Sequence, residues 1–240
     1  MMPHPLDRPV WHALDTLQAP LSVGSALARS FAPDIAPLAA ARDETPESLT
    51  ALAGLVTRHG NALLLQAGES AAPAGTIVEK TAAGVQMVAY TPITSVPDLP
   101  MVPLGEADAA EMLALARLTA PGPFEQRTHL LGGFWGVREN GRLVAMAGER
   151  LRLPGFTEVS GVCTHPDARG RGYARALSAA AAARIFARGE VPFLHAYAAN
   201  TAAIGLYEAL GFAVRSEVVV TVLRAQDGMQ IPGCERGEAA

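Results

Sequence analysis

The sequence predicts an open α/β (α+β) sheet flanked by helices, and three observations carry that reading. Downstream of a proline-rich stretch the apolar runs follow the order βββαβαβ, and three strands in succession break the strict strand–helix alternation of a doubly wound parallel sheet. An Asn-Gly pair at Asn140 and Gly141 joins two strand-like runs, a strong short-range signal for an antiparallel hairpin. The two strongest helical segments of that region each end at a glycine, Gly189 and Gly211.

The elements follow in order. Pro46 to His59 reads as an amphipathic helix, with leucines and valine at three- and four-residue steps. Asn61–Gln66 and Val85–Ala89 are short apolar runs of strand character. Tyr90 to Pro103 contains four prolines and no helical period, which predicts a linker and a domain boundary near Asp98. The expectation is an N-terminal lobe, 1–97, of degenerate α/β character, and a second domain, 98–240. In the latter, Glu106–Leu118 is a helix, Phe134–Arg138 and Leu143–Glu149 form the hairpin, and Glu158–Thr164 is a third strand. The alanine-rich run Gly172–Arg188 is a helix, followed by strand Phe193–Ala198, helix Thr201–Leu210 and strand Val218–Leu223.

Composition excludes several classes. Half of the 240 residues are hydrophobic, yet no run reaches the roughly 18 apolar residues that span a bilayer. The N-terminus lacks a basic start followed by an apolar stretch, so a cytoplasmic protein is expected. A net charge of -4 gives no general attraction to nucleic acid. Cys163 and Cys234 stand far apart, which suggests neither a disulfide framework nor a metal site.

The segment from His165 to Ile185, HPDARGRGYARALSAAAAARI, turns from arginine and glycine into a strong helix. Glycine lets main chain approach a ligand closely, and a helix start presents unpaired N–H groups at the positive end of the macrodipole. That combination is an anion site. A Walker loop would end in Gly-Lys-Ser/Thr, where this chain has Gly172-Tyr173-Ala174, and a dinucleotide fingerprint would need a glycine at the position of Arg175. The residues instead form R-x-x-G-x-A from Arg169 to Ala174, after a strand and before a helix. Glu158 stands on that strand eleven residues upstream, Asn200 opens the next helix, Tyr207 follows seven residues later, and the helix closes in LYEALGF.

Taken together these motifs resemble the GNAT superfamily of N-acetyltransferases over roughly Met101 to Arg224. The resemblance implies a mixed, mostly antiparallel sheet and acetyl-CoA as cosubstrate. It implies that main chain at Val162, Cys163 and Thr164, the stretch Arg169, Gly170, Arg171, Gly172, Tyr173 and Ala174, and Asn200 and Tyr207 hold the coenzyme. It further implies Glu158 as general base and Tyr207 as general acid, with Glu149 in reserve as the base. Each has a plainer reading: a solvated turn, a surface carboxylate, a core aromatic, and for Asn200 a helix cap. Strand alternation would set Glu158, Ser160, Val162 and Thr164 on one face and turn Cys163, as an inert buried thiol, to the other. His129 and His195, lacking partners in the sequence, suggest packing or a substrate rim.

The expected activity is direct acetyl transfer to an amine of a small molecule or peptide by a monomer or homodimer. A non-catalytic acyl-CoA-binding sensor or scaffold is the alternative. A nucleotide kinase would need a lysine and metal carboxylates that the motif lacks. Loops such as Pro121–Thr128 and Pro154–Thr157 would set the acceptor, and the N-terminal lobe would cover a sheet edge or line part of the acceptor cleft.

Overall fold

A computed structural model describes residues 4–93 and 98–226. Among these, the N-terminal half contains α1 (Pro9–Asp15), β1 (Ser22–Gly24), β2 (Ala28–Phe31), β3 (Ala39–Ala41), α2 (Pro46–His59), β4 (Asn61–Gln66) and β5 (Thr76–Val88). The remainder contains β6 (Val102–Leu104), α3 (Ala109–Thr119), β7 (Phe134–Glu139), β8 (Arg142–Leu153), β9 (Phe156–Thr164), α4 (Tyr173–Ala187), β10 (Val191–Tyr197), α5 (Thr201–Glu208) and β11 (Ala213–Ala225).

Eight strands form one sheet in the order β4-β11-β5-β10-β9-β8-β7-β6. Its neighbours are antiparallel except β9 and β10, which makes the sheet mixed and mostly antiparallel, as the sequence predicts. The small sheet β1-β2-β3 meets β4 through a single parallel bridge, Leu38 to Leu63. Alternation along each strand sends side chains to two helical layers. Leu63 and Leu65 pack with Val10 and Leu14 of α1, whereas Ala62 and Leu64 pack with Leu52 and Val56 of α2. Met146 meets Met112 of α3, and Ala145 and Ala147 join the cluster of Leu177 on α4. One face therefore carries α1 and α3, and the other carries α2, α4 and α5.

Local chemistry explains the sharpest features. Asn140 and Gly141 have φ of 50° and 82°, the left-handed pair that a type I′ turn requires, and β7 and β8 pair across them. Thr45 caps α2 by accepting from the Ser48 N–H at 3.4 Å, and Gly60 ends it with φ 86°.

Three differences from the sequence expectation matter. β5 begins at Thr76, nine residues ahead of the expected Val85, because its first half, TIVEKT, is exposed and shows no buried alternation. β6 begins within the stretch expected to be a linker. Strand pairing also crosses the expected boundary near Asp98: β5 inserts between β10 and β11, pairing with both. A chain beginning at Asp98 would lose a central strand and leave two buried edges unpaired. It is expected to show no cooperative thermal transition by circular dichroism; a sharp transition at the full-length temperature would contradict this.

Candidate active site

β9 and β10 run parallel only from Phe156 to Glu158 and from Val191 to Phe193, and beyond that point they part. The opening between them continues into a cavity of about 920 Å³. Its lining includes Tyr207, Asn200 and Gly172 on the α4 and α5 side, Val162 in the opening, and Leu65, Val218, Arg150 and His195 on the side of α1. The cavity thus passes through the sheet.

At its α4 end lies a row of bare main chain. Gly170 and Gly172 have φ of 77° and 78°, and a Cβ built on either would meet no atom within 4 Å. The N–H groups of Gly170 to Arg175 have no hydrogen-bond partner among the described residues; Arg169 donates to Pro166 O at 3.3 Å and Ala176 to Gly172 O at 3.0 Å. Six donors at the start of the fifteen-residue α4 face open space, which suits a pyrophosphate. Arg171 is engaged with Glu139 at 2.7 Å, and Tyr173 also donates to that carboxylate at 2.6 Å. Arg169 and Arg175 line the cavity and make no ion pair among the described residues, so they are the cations left for an anionic ligand. Arg175 was not expected as a site residue, although its place in the first turn of the glycine-arginine helix was the available signal.

The expected alternation along β9 fails at Gly161. Its φ is 64°, and the register with β8 slips there, with Cys163 opposite Met146 but Ser160 opposite Gly148. An extra residue of this kind is a β-bulge, which flips the faces beyond it. Val159 and Val162 consequently both pack toward α4, while Cys163 joins the α3 cluster on the face that Glu158 occupies. Glu158 and Val162 are therefore on opposite faces, contrary to the sequence expectation.

Glu158 is fully buried and does not line the cavity. Its Oε2 accepts from Arg150 Nε at 2.8 Å, and its Oε1 accepts from Arg150 Nη2 at 2.6 Å and from His195 Nδ1 at 2.7 Å. The Leu151 N–H adds a fourth donor at 3.3 Å. Burial alone would raise the carboxyl pKa, but Arg150 and His195 outweigh it and hold the group down at about 2. The network continues outward. Gln86 Nε2 lies 2.8 Å from Leu6 O and 3.0 Å from His195 Nε2, and its Oε1 accepts from Arg215, which pairs with Asp7. Because the Gln86 amide nitrogen can only donate, His195 Nε2 is its acceptor, while Nδ1 donates to Glu158.

The other expected residues fall into place around this frame. Tyr207 lines the cavity with its ring stacked edge-on to Phe212 at 6.1 Å, and burial pushes its hydroxyl pKa up to about 12. Asn200 caps α5, accepting from Ala203 N at 3.2 Å, and also lines the cavity. Thr164 and Ala174 line it too, and Thr164 Oγ1 is buried without a partner among the described residues. Burial raises the Cys163 thiol to about 11, which keeps it protonated and a poor nucleophile. Glu149 pairs with Arg188 at 2.9 Å and is not part of the cavity wall. His129 likewise stands apart, and Cys234 lies outside the described residues.

Known proteins share this fold. A structure from Novosphingobium aromaticivorans, assigned to the acetyltransferases of the GNAT family, is 46% identical to this chain, covers 93% of it and is itself covered in full, with a TM-score of 0.88. The chain belongs to the GNAT family. It is an acyltransferase of that family, and the family description FR47-like protein matches residues 134–220, the span from β7 into β11 that holds the bulge, the cradle and α5. A GCN5-related N-acetyltransferase from Kribbella flavida matches in fold at 18% identity, with 92% of this chain and 94% of that one covered and a TM-score of 0.59. An acetyltransferase of the same family from Colwellia psychrerythraea shares 13% identity over 78% of this chain and 76% of that one, with a TM-score of 0.51. No curated protein matches the chain. Among the described residues, no helix is long and apolar enough to cross a membrane.

Proposed function

We propose that this GNAT protein transfers an acetyl group from acetyl-CoA directly to a primary amine, as a cytoplasmic enzyme binding one coenzyme per chain. The observation that carries the reading is the row of six unpartnered N–H groups opening on a cavity that crosses the sheet to the His195 imidazole. The N–H groups of Gly170 to Arg175 hold the pyrophosphate, with Arg169 and Arg175 adding charge, and Asn200 borders the path of the pantetheine arm. When bound, acetyl-CoA supplies an acyl group already activated as a thioester.

The rest of the chemistry belongs to the chain. The main-chain N–H at Val162 stabilises the developing oxyanion, where one such donor is typically worth about 3 kcal/mol. His195 is the imidazole on the cavity wall, and Glu158 stands behind it. Glu158 therefore serves as base at second hand: proton uptake by His195 makes an imidazolium that the ionised carboxylate stabilises. Tyr207 keeps its proton across the neutral range and delivers it to the departing sulfur. The buried thiol of Cys163 takes no covalent part.

Calorimetry with coenzyme A, paired with thiol release from acetyl-CoA in the presence of amines, tests this reading. Binding at one equivalent with amine-dependent thiol release is expected; binding with no release from any amine would leave a sensor or scaffold. Tyr207→Phe is expected to lower kcat at least ten-fold and leave coenzyme A affinity within a few-fold, since the hydroxyl acts chiefly on the leaving group. Parallel losses in both would assign the ring to packing.

A further inference from the structure

The two ends of the cavity differ in chemistry. On the side of α1 its wall is aliphatic, built from Leu63 and Leu65 of β4 and Val218 and Val220 of β11, with Arg150 and His195 buried at its inner end. Among the described residues no aspartate or glutamate lines the cavity anywhere. A polycation entering here would find no wall carboxylate to pair with. Yet Arg150 is not fully spent. Its Nε and Nη2 donate to Glu158, and Nη1 has no partner among the described residues.

Spacing narrows the ligand further. Arg150 Nη2 and His195 Nδ1 donate to the same oxygen of Glu158, so the guanidinium and the imidazole stand no further apart than two hydrogen-bond lengths. The atoms left for a ligand are Arg150 Nη1 and His195 Nε2 on these neighbouring groups, so a small ligand that engages both carries an acid and an amine close together. The surroundings are charge-balanced, Arg150 against Glu158 and Arg215 against Asp7, so a zwitterion adds no net charge.

We propose that the acceptor is a free aliphatic α-amino acid, its carboxylate on Arg150, its amine at His195 and its side chain against Leu63, Leu65, Val218 and Val220. This rests on the acetyl-transfer reading above. The incoming amine replaces the 3.0 Å contact of Gln86 with His195 Nε2, while the other N–H of Gln86 stays on Leu6 O. In the transfer a C–N bond forms and the C–S bond breaks. The ammonium gives up two protons in all: one is accounted for on the coenzyme thiol by way of Tyr207, and the other leaves to solvent by way of His195. A peptide N-terminus offers an amide where Arg150 awaits a carboxylate, and a site built for a charged partner rejects the analogue that lacks it.

The test compares leucine, leucinamide and spermidine in thiol release from acetyl-CoA, with calorimetry of leucine against the full chain saturated with coenzyme A. Leucine is expected to exceed leucinamide at least ten-fold in kcat/KM, spermidine to stay near background, and leucine to give a saturable heat. Leucinamide equal to leucine, a preference for spermidine, or no heat with leucine while another amine turns over would overturn the amino-acid assignment and leave acetyl transfer standing. Absence of thiol release with every amine, with coenzyme A bound, would remove acetyl transfer and this assignment together.

Discussion

Gly172→Val is expected to weaken coenzyme A binding at least a hundred-fold in calorimetry while the protein stays folded. Gly172 has φ 78°, a conformation that costs a side-chain-bearing residue about 1–3 kcal/mol, so a modest fall in Tm is part of the expectation. The added atoms meet nothing in the protein, because a Cβ at this position has no neighbour within 4 Å. They instead occupy the space in front of the N–H groups of Gly170 to Arg175, where an anion would have to come within hydrogen-bond distance. Gly172→Ala also incurs a backbone penalty, though a smaller one than β-branched valine, and brings a smaller obstruction. An intermediate affinity for the alanine variant fits obstruction. Unchanged affinity in the valine variant would remove the cradle from phosphate binding.

This cradle was legible in the sequence because everything it needs is local: two glycines, a strand before them and a strong helix after them within twenty residues. The β7–β8 turn was legible for the same reason, since Asn140 and Gly141 dictate their own backbone geometry. The bulge at Gly161 was half legible. An isolated glycine in a strand pattern signals a bulge, but strict alternation was assumed through it, and every side chain beyond was assigned to the wrong face.

The proton-handling end of the cavity was not legible. Glu158 and His195 are both in the motif region, yet His195 had no visible partner, because its partners, Glu158 on β9 and Gln86 on β5, stand 37 and 109 residues away. Only the insertion of β5 between β10 and β11 brings Gln86 there, and no spacing in the chain announces that pairing. The aliphatic wall from Leu63 and Leu65 has the same origin. Half of β5 is exposed, so the strand that completes the site is the one whose pattern was weakest.

Glu158→Gln removes one charge at constant shape and is expected to change both stability and activity. Arg150, buried beside it, loses its only ion-pair partner among the described residues, and breaking a buried pair from one side costs about 3–5 kcal/mol, toward the lower figure here because the glutamine oxygen still accepts. The pH dependence gives the sign. A carboxyl held down at about 2 in the fold, against about 4.5 when unfolded, contributes fully above pH 4.5 and loses that contribution as pH falls through 4.5 toward 2. The Tm of the wild-type protein should therefore lie well above that of the variant at pH 7, and the gap should narrow by more than half on acidification to pH 3. Parallel Tm curves would show that the carboxylate is not depressed. In turnover the variant is expected to fall at least ten-fold at pH 7 and to recover in part at high pH, where more of the amine arrives already deprotonated and needs no imidazole backed by a carboxylate. A variant with equal loss at every pH, at temperatures where it remains folded, would confine Glu158 to holding Arg150 and would take it out of proton transfer.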